Sequence, residues 1–265
     1  MRTLHIDGIA FWAPTLPGWD IARAAMRDEA APLEPPARRP SPLLLPAAER
    51  RRAPDTVALA LEVASAAVSA SGHDPKTLPS VFVSAHGDLA INDHLCSMLA
   101  STPTQISPTK FHNSVHNAGA GYWTMGVGCH EASTALTAFE HSFANGLLAA
   151  ATQCAADERP VLLVGYDVQV VGALASVTRS ESLLAVALVL SPKVGGSSVA
   201  GFDWALQPAE PGAPAAPLVS PAAQALAGNA LADALPFFEA LARGYMDWQC
   251  LPLSSRQSLA LRLRS

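Results

Sequence analysis

Three observations predict a layered α/β fold. Short apolar or β-branched runs of strand length alternate with longer segments of helical pattern. One of those helical segments, residues 139–155, is apolar on almost every side, so it should lie buried between sheets in a sheet–helix–sheet sandwich. Half of the 265 residues are apolar and only 15% are charged, which supplies a full hydrophobic core and excludes intrinsic disorder.

Residues 3–12 mix β-branched, aromatic and apolar side chains and read as a strand. Residues 13–50 are rich in proline and alanine; a short helix fits 19–27, and 32–46 should be an extended surface loop. Asp55 is placed as N-cap of a helix running to about Ala70, closed by Ser71-Gly72. Its apolar residues cover most of its circumference, so it should be well buried. PSVFVS (79–84) reads as a strand and 92–100 as a helix.

Residues 107–128 are rich in histidine, asparagine and glycine. Residues 132–139 read as a strand of small side chains, and 160–165 and 182–191 as further strands. Residues 200–206 can form another strand. Residues 207–221 form a proline–alanine linker, and 222–243 an amphipathic helix. SLALRLR (258–264) alternates as an edge or half-buried strand does.

Composition removes several function classes. The net charge is −5 with no basic face, which argues against DNA or RNA as a partner. The longest strongly apolar run, 183–190, is far too short to insert across a membrane. Cys96, Cys129, Cys154 and Cys250 are widely spaced, as expected of reduced thiols, and no signal-peptide pattern opens the chain; the expected location is the cytoplasm. His112 and His116 have ligand spacing for a helix, but no acidic cluster accompanies them, so no metal is expected. Gly119, Gly121, Gly126 and Gly128 lack the Gly-Lys-Ser/Thr of a phosphate loop. No cofactor is expected.

Asn117-Ala118-Gly119-Ala120-Gly121 with Thr124-Met125, the strand–helix pair at 132–155, and PVLLVGYD (160–167) resemble the N-terminal half of the β-ketoacyl synthases, condensing enzymes of the thiolase fold. LLPAAERRRAP (44–54), FHNSVHNAGAGYW (111–123), SFANGLLAA (142–150) and ALPFFEALA (234–242) are similar to a narrower group, the short β-ketoacyl synthase-like chain length factors. These occur beside true synthases in aryl-polyene and related pigment pathways. The resemblance spans most of the chain and is weakest at 13–43 and 195–220. It implies one thiolase-like α/β domain over 1–265, with 13–50 and 207–221 as loop and linker.

Condensing enzymes place a cysteine at the N-terminus of the buried helix, where the helix dipole lowers the thiol pKa and backbone N–H groups form an oxyanion hole. An ungapped alignment puts Glu140 there, and a carboxylate cannot form the required acyl thioester. Cys129 is the alternative nucleophile, at the expense of an insertion before PVLLVG. The family's second half-fold supplies two histidines, whereas all eight histidines here lie at or before His141. The resemblance therefore implies a pseudo-enzyme that pairs with a β-ketoacyl synthase, with an active enzyme using Cys129 and a homodimeric acyl-binding scaffold as the other readings.

The uncharged strand at 132–139 would be an aggregation hazard unless paired. The resemblance implies that it meets its counterpart across a two-fold axis, with Asn117, Ser133, Ala135, Thr137 and Phe139 at the interface. The other reading covers it with this chain's own strand at 258–264. Phe111, His112, His116, Trp123 and Met125 are candidates to close the far end of the partner's acyl tunnel. Arg50, Arg51 and Arg52 are candidates to receive an acidic carrier protein.

Overall fold

The computed structural model describes residues 2–209 and 216–264. In chain order it runs through β1 (Arg2–Ala13), β2 (Leu16–Pro17), α1 (Trp19–Met26), α2 (Ala47–Arg50), α3 (Asp55–Ser71), β3 (Ser80–Val83), α4 (Leu89–Ser101), α5 (Pro108–Asn113) and α6 (Ala118–Val127). It continues through β4 (Ser133–Leu136), α7 (Ser142–Asp157), β5 (Val161–Asp167), β6 (Leu184–Ser191), β7 (Ala200–Pro208), α8 (Pro221–Gln224), α9 (Leu235–Arg243), β8 (Trp248–Pro252) and β9 (Gln257–Arg264).

The strands form one mixed sheet in the order β4-β3-β5-β6-β1-β7-β9-β8, with the short β2 paired to β1. The β4–β3 and β3–β5 pairs are parallel. The pairs from β5–β6 onward are antiparallel. Both faces of the central strands are covered, which is why β5 and β6 read as continuous apolar runs. The two-residue strand period still sorts their side chains. Leu162, Val164, Ala185 and Ala187 pack with α3, while Val161, Leu163, Val186 and Leu188 pack with α7 and α9.

The small side chains of β6 on one face let α3 lie close to the sheet. Gly8 of β1 completes that fit. A Cβ there would overlap the Ala67 carbonyl of α3 and lie 3.1 Å from Ser71 Cβ. Gly8 also borders a register shift in the β1–β6 pairing.

The α/β class and most strand positions match the sequence reading; β2 and β8 are not among the strands it expects, and four further details differ. One sheet is present among the described residues, not two. α7 buries one face against the sheet and α9, leaving Thr152 and Asp157 exposed, so it is not sandwiched between sheets. Asp55 is the first residue of α3 rather than its cap; Pro54 is the cap, and the Asp55 carboxylate accepts from Arg39 at 2.6 Å. The single helix expected at 222–243 is broken into α8, a turn and α9. Asn229 makes the break by donating through Nδ2 to the Glu181 carbonyl while its Oδ1 accepts from Leu231 N–H, and Pro236 then starts α9.

The fourth difference concerns the C-terminal strand. β9 lies between β7 and β8, at the far side of the sheet from β4, so it does not cover residues 132–139. Part of the expected linker, 210–215, lies outside the described residues, while Gln207 and Pro208 extend β7.

Candidate functional site

Three parallel strands deliver their C-termini to one end of the sheet, since Val83 pairs with both Leu136 and Gly165. The loops that follow β3, β4 and β5 therefore meet. Asp167, which ends β5, ties two of them together. Its buried carboxylate accepts from the Ser84 hydroxyl and the Ala85 N–H, both at 2.8 Å. Burial pushes its carboxyl up to about 6, against those hydrogen bonds. His116 Nε2 lies 2.9 Å from the Ser84 carbonyl, which only accepts, so that nitrogen carries the proton.

The turn from β4 into α7 is a sharp elbow. Phe139 sits at its apex with φ of 54°, a left-handed conformation unusual for a bulky side chain. The Ser142 hydroxyl accepts from Ala138 N–H at 3.0 Å and donates to the Phe139 carbonyl at 2.8 Å, which holds the turn. Thr137 fastens it to the neighbouring loop by donating to the Ala85 carbonyl at 3.0 Å. The first turn of α7 is capped from a distant segment, because Asp233 accepts from Ala144 N–H at 3.1 Å. Desolvation pushes the Asp233 carboxyl up to about 8, and its Oδ1 is buried without a partner.

A cavity of ≈ 430 Å³ opens in front of this elbow, lined among others by His86, Phe139, Glu140, Val177, Thr178 and Arg179. His86 Nε2 lies 2.9 Å from Thr178 Oγ1, and its ring meets Phe139 edge-on. Burial lowers the His86 pKa, which favours the neutral imidazole. The lining contains no thiol. Cys129 is buried and donates weakly to the Leu78 carbonyl at 3.5 Å. It precedes β4, whereas the elbow follows it, and a strand rises about 3.3 Å per residue. Cys129 therefore lies at the opposite end of β4 from the cavity.

The other expected site residues divide into groups. Ser133 and Ala135 of β4, Thr137 after it, and Phe139 are all exposed, and among the described residues β4 pairs only with β3, which leaves its other edge open there. Phe111, Met125 and Phe139 are 63%, 67% and 52% exposed. Asn117, just before α6, is exposed as well. His112 lies edge-on to Tyr122 and His116 turns toward Ser84, so the two histidines do not converge. Trp123 does not reach the surface; it is buried against α3 and is a core residue here. Arg51 and Arg52 are exposed in the turn after α2, and Arg50 is half-buried at its end.

His86, Asp167 and Asp233 escaped the sequence reading. The available signal was an acid ending the run PVLLVGYD and a His-Gly pair one residue after PSVFVS.

A family model described as "Beta-ketoacyl synthase, N-terminal domain" matches residues 22–251. The chain belongs to this family. No curated protein matches it significantly. Among solved structures, this β-ketoacyl synthase-like chain is similar to a chain of the ketosynthase (ApeO) in complex with its chain length factor (ApeC) from Xenorhabdus doucetiae. Identity there is 23% and the TM-score 0.74, covering 99% of this chain and 100% of that one. It is similar to a chain of the ishigamide ketosynthase/chain length factor at 14% identity and TM-score 0.74, covering 99% of each. Against the ketosynthase from module 1 of the bacillaene synthase of Bacillus amyloliquefaciens FZB42, identity is 14% and the TM-score 0.56, over 84% of this chain and 49% of that one. These likenesses establish the thiolase-like ketosynthase fold.

Proposed function

We propose that this chain is a non-catalytic, chain-length-factor-like subunit. It pairs with a β-ketoacyl synthase along the open edge of β4 and helps close the partner's acyl tunnel, in polyketide or fatty-acid-type biosynthesis of the aryl-polyene kind. The observation that carries this reading is the elbow, which bears Phe139 and Glu140 and no thiol, while Cys129 lies at the other end of the strand. The elbow leads from a strand into a buried helix, the arrangement a nucleophile turn uses, but neither side chain can hold an acyl thioester.

The exposed Phe111, Met125 and Phe139 are apolar side chains suited to a dry contact or a channel end. Arg50, Arg51 and Arg52 offer a cationic contact to an acidic carrier protein. The chain would act in the cytoplasm; no described helix is long and apolar enough to cross a membrane.

Co-expression with a β-ketoacyl synthase encoded beside it, followed by size exclusion, tests the pairing. The expected result is a one-to-one complex. Within that complex, Phe111→Ala and Phe139→Ala should lengthen the products. A chain that elutes alone or as a homodimer would favour the scaffold reading. Iodoacetamide inactivation mapped to Cys129 would favour the enzyme reading.

A further inference from the structure

β1 carries an unpaired stretch within the sheet. On one side β6 follows it from His5 to Trp12. On the other side β7 pairs with it only as far as Ile6, where Val199 N–H donates to the Ile6 carbonyl at 2.9 Å, and β2 takes over only at Trp12. Residues 7–11 therefore have no strand beside them on that side among the described residues. In an antiparallel pair every second residue turns both N–H and C=O toward the same neighbour, so alternate residues of this stretch turn theirs into the gap.

A groove of ≈ 440 Å³ lies on the gap. Ile9 and Phe11 pack on one face of the sheet and Ala10 and Trp12 on the other, yet all four line the groove, so it opens onto the edge of the strand. One wall is a stripe of α3 made by Glu62, Ala66 and Ala70, each one turn from the next. The two alanines are exposed and leave room beside the strand.

No lysine or arginine lines the groove among the described residues. Asp20 at its rim is already paired with Arg23 at 3.2 Å. Glu62 is half-buried and has no cation within ion-pair distance among the described residues. Burial pushes its carboxyl up, with no cation to offset the shift.

A free strand edge beside a helix, with a slot between them for side chains, is the geometry of strand addition. The backbone groups of the edge supply affinity, and an unpartnered carboxylate in the slot selects a cationic side chain. We propose that this groove takes a short, extended, basic segment of a partner polypeptide as an added strand on β1, with one arginine or lysine side chain of that segment reaching Glu62. β3, β5 and β6 separate β1 from β4, so this surface is distinct from the edge proposed for the synthase, and the two can be tested apart.

Anisotropy titration of the full chain with labelled, acetylated pentapeptides tests the site. Valine and threonine flank a central arginine, lysine, glutamine or glutamate. The arginine and lysine peptides should bind one-to-one, and the glutamate peptide more weakly by about tenfold or more. N-methylation along one edge of the arginine peptide should abolish binding, while methylation along the other edge should leave it. Glu62→Arg should reverse the preference from arginine to glutamate, a gain that misfolding cannot produce. Ala66→Trp, at an exposed position of α3, should weaken every peptide by filling the slot. The absence of binding by all four peptides into the millimolar range would overturn the proposal. So would an unchanged order of preference in Glu62→Arg, or equal binding of the two methylated peptides. Butylguanidine binding as tightly as the arginine peptide would reduce the groove to a cation site and overturn strand addition.

Discussion

Phe139 meets His86 edge-on, with ring centroids 5.4 Å apart and planes at 75°. The contact joins the apex of the β4–α7 elbow to the loop after β3. A left-handed φ on a bulky residue is disfavoured by about 1–3 kcal/mol. It persists here because Thr137 and Ser142 fasten both sides of the turn. The strained residue thus stands at the end of the sheet where the loops after β3, β4 and β5 meet, and its side chain shields the imidazole.

Removing that ring should rehydrate His86. In Phe139→Ala the His86 pKa should rise toward the ordinary histidine range, since desolvation is what holds it down. An NMR titration of the histidine ring signals reads this directly. A fall, or no change, would show that the ring does not desolvate the imidazole.

The open edge of β4 should govern association and leave the fold alone. Ala135 is exposed, so Ala135→Asp should change monomer stability by no more than about 0.5 kcal/mol in urea unfolding. The same substitution places an uncharged edge under charge repulsion and desolvation, and should abolish complex formation on size exclusion.

Gly146 lets α7 settle onto the sheet. A Cβ at that position would overlap Val83 Cγ1 and lie 3.2 Å from Leu163 Cδ1. Gly146→Ala should destabilise the protein by about 1–3 kcal/mol despite the better helix propensity of alanine, because the surrounding core is close-packed. Chemical unfolding measures the difference, and a gain in stability would mean that α7 sits further from β3 than described.

Asp233 gives stability a pH slope. Its folded carboxyl is pushed up to about 8 from an ordinary value near 3.8, so the native state holds a proton that the unfolded chain releases. Stability from this group is fully present below about pH 4 and is lost as pH rises through about 8. Asp167, pushed up to about 6, adds a loss in the lower part of the same window. Asp233→Asn retains an oxygen to cap α7 and cannot ionise. Urea midpoints at pH 5 and pH 8 should therefore lie closer together in the variant than in the parent chain.

Much of the fold was legible because it is written in local pattern. β6 is a run of Leu, Ala and Val up to Ser191, and β5 opens on four apolar residues, Val161 to Val164, before Gly165. Ser71-Gly72 ends α3 because Gly72 takes the left-handed conformation, with φ of 71°. The helix through 222–243 was misread because its apolar spacing survives Gly228 and Asn229, and only contact with Glu181 and Ser182 shows why the chain turns there. Trp123 was misplaced for a similar reason: its neighbours Phe111 and Met125 face solvent, and nothing in their spacing says that it turns toward α3.

By itself the sequence determined the α/β class, most of the strand segments in their order and the family resemblance. These depend on residue type and on periods of two and 3.6, which neighbours along the chain set. Only the tertiary structure decided that β4 is an open edge, that Phe139 is the apex of the elbow, that Cys129 faces the wrong end, and that Asp233 caps a helix 89 residues before it. Each of those depends on which distant segments come into contact, and short-range propensities carry no information about that.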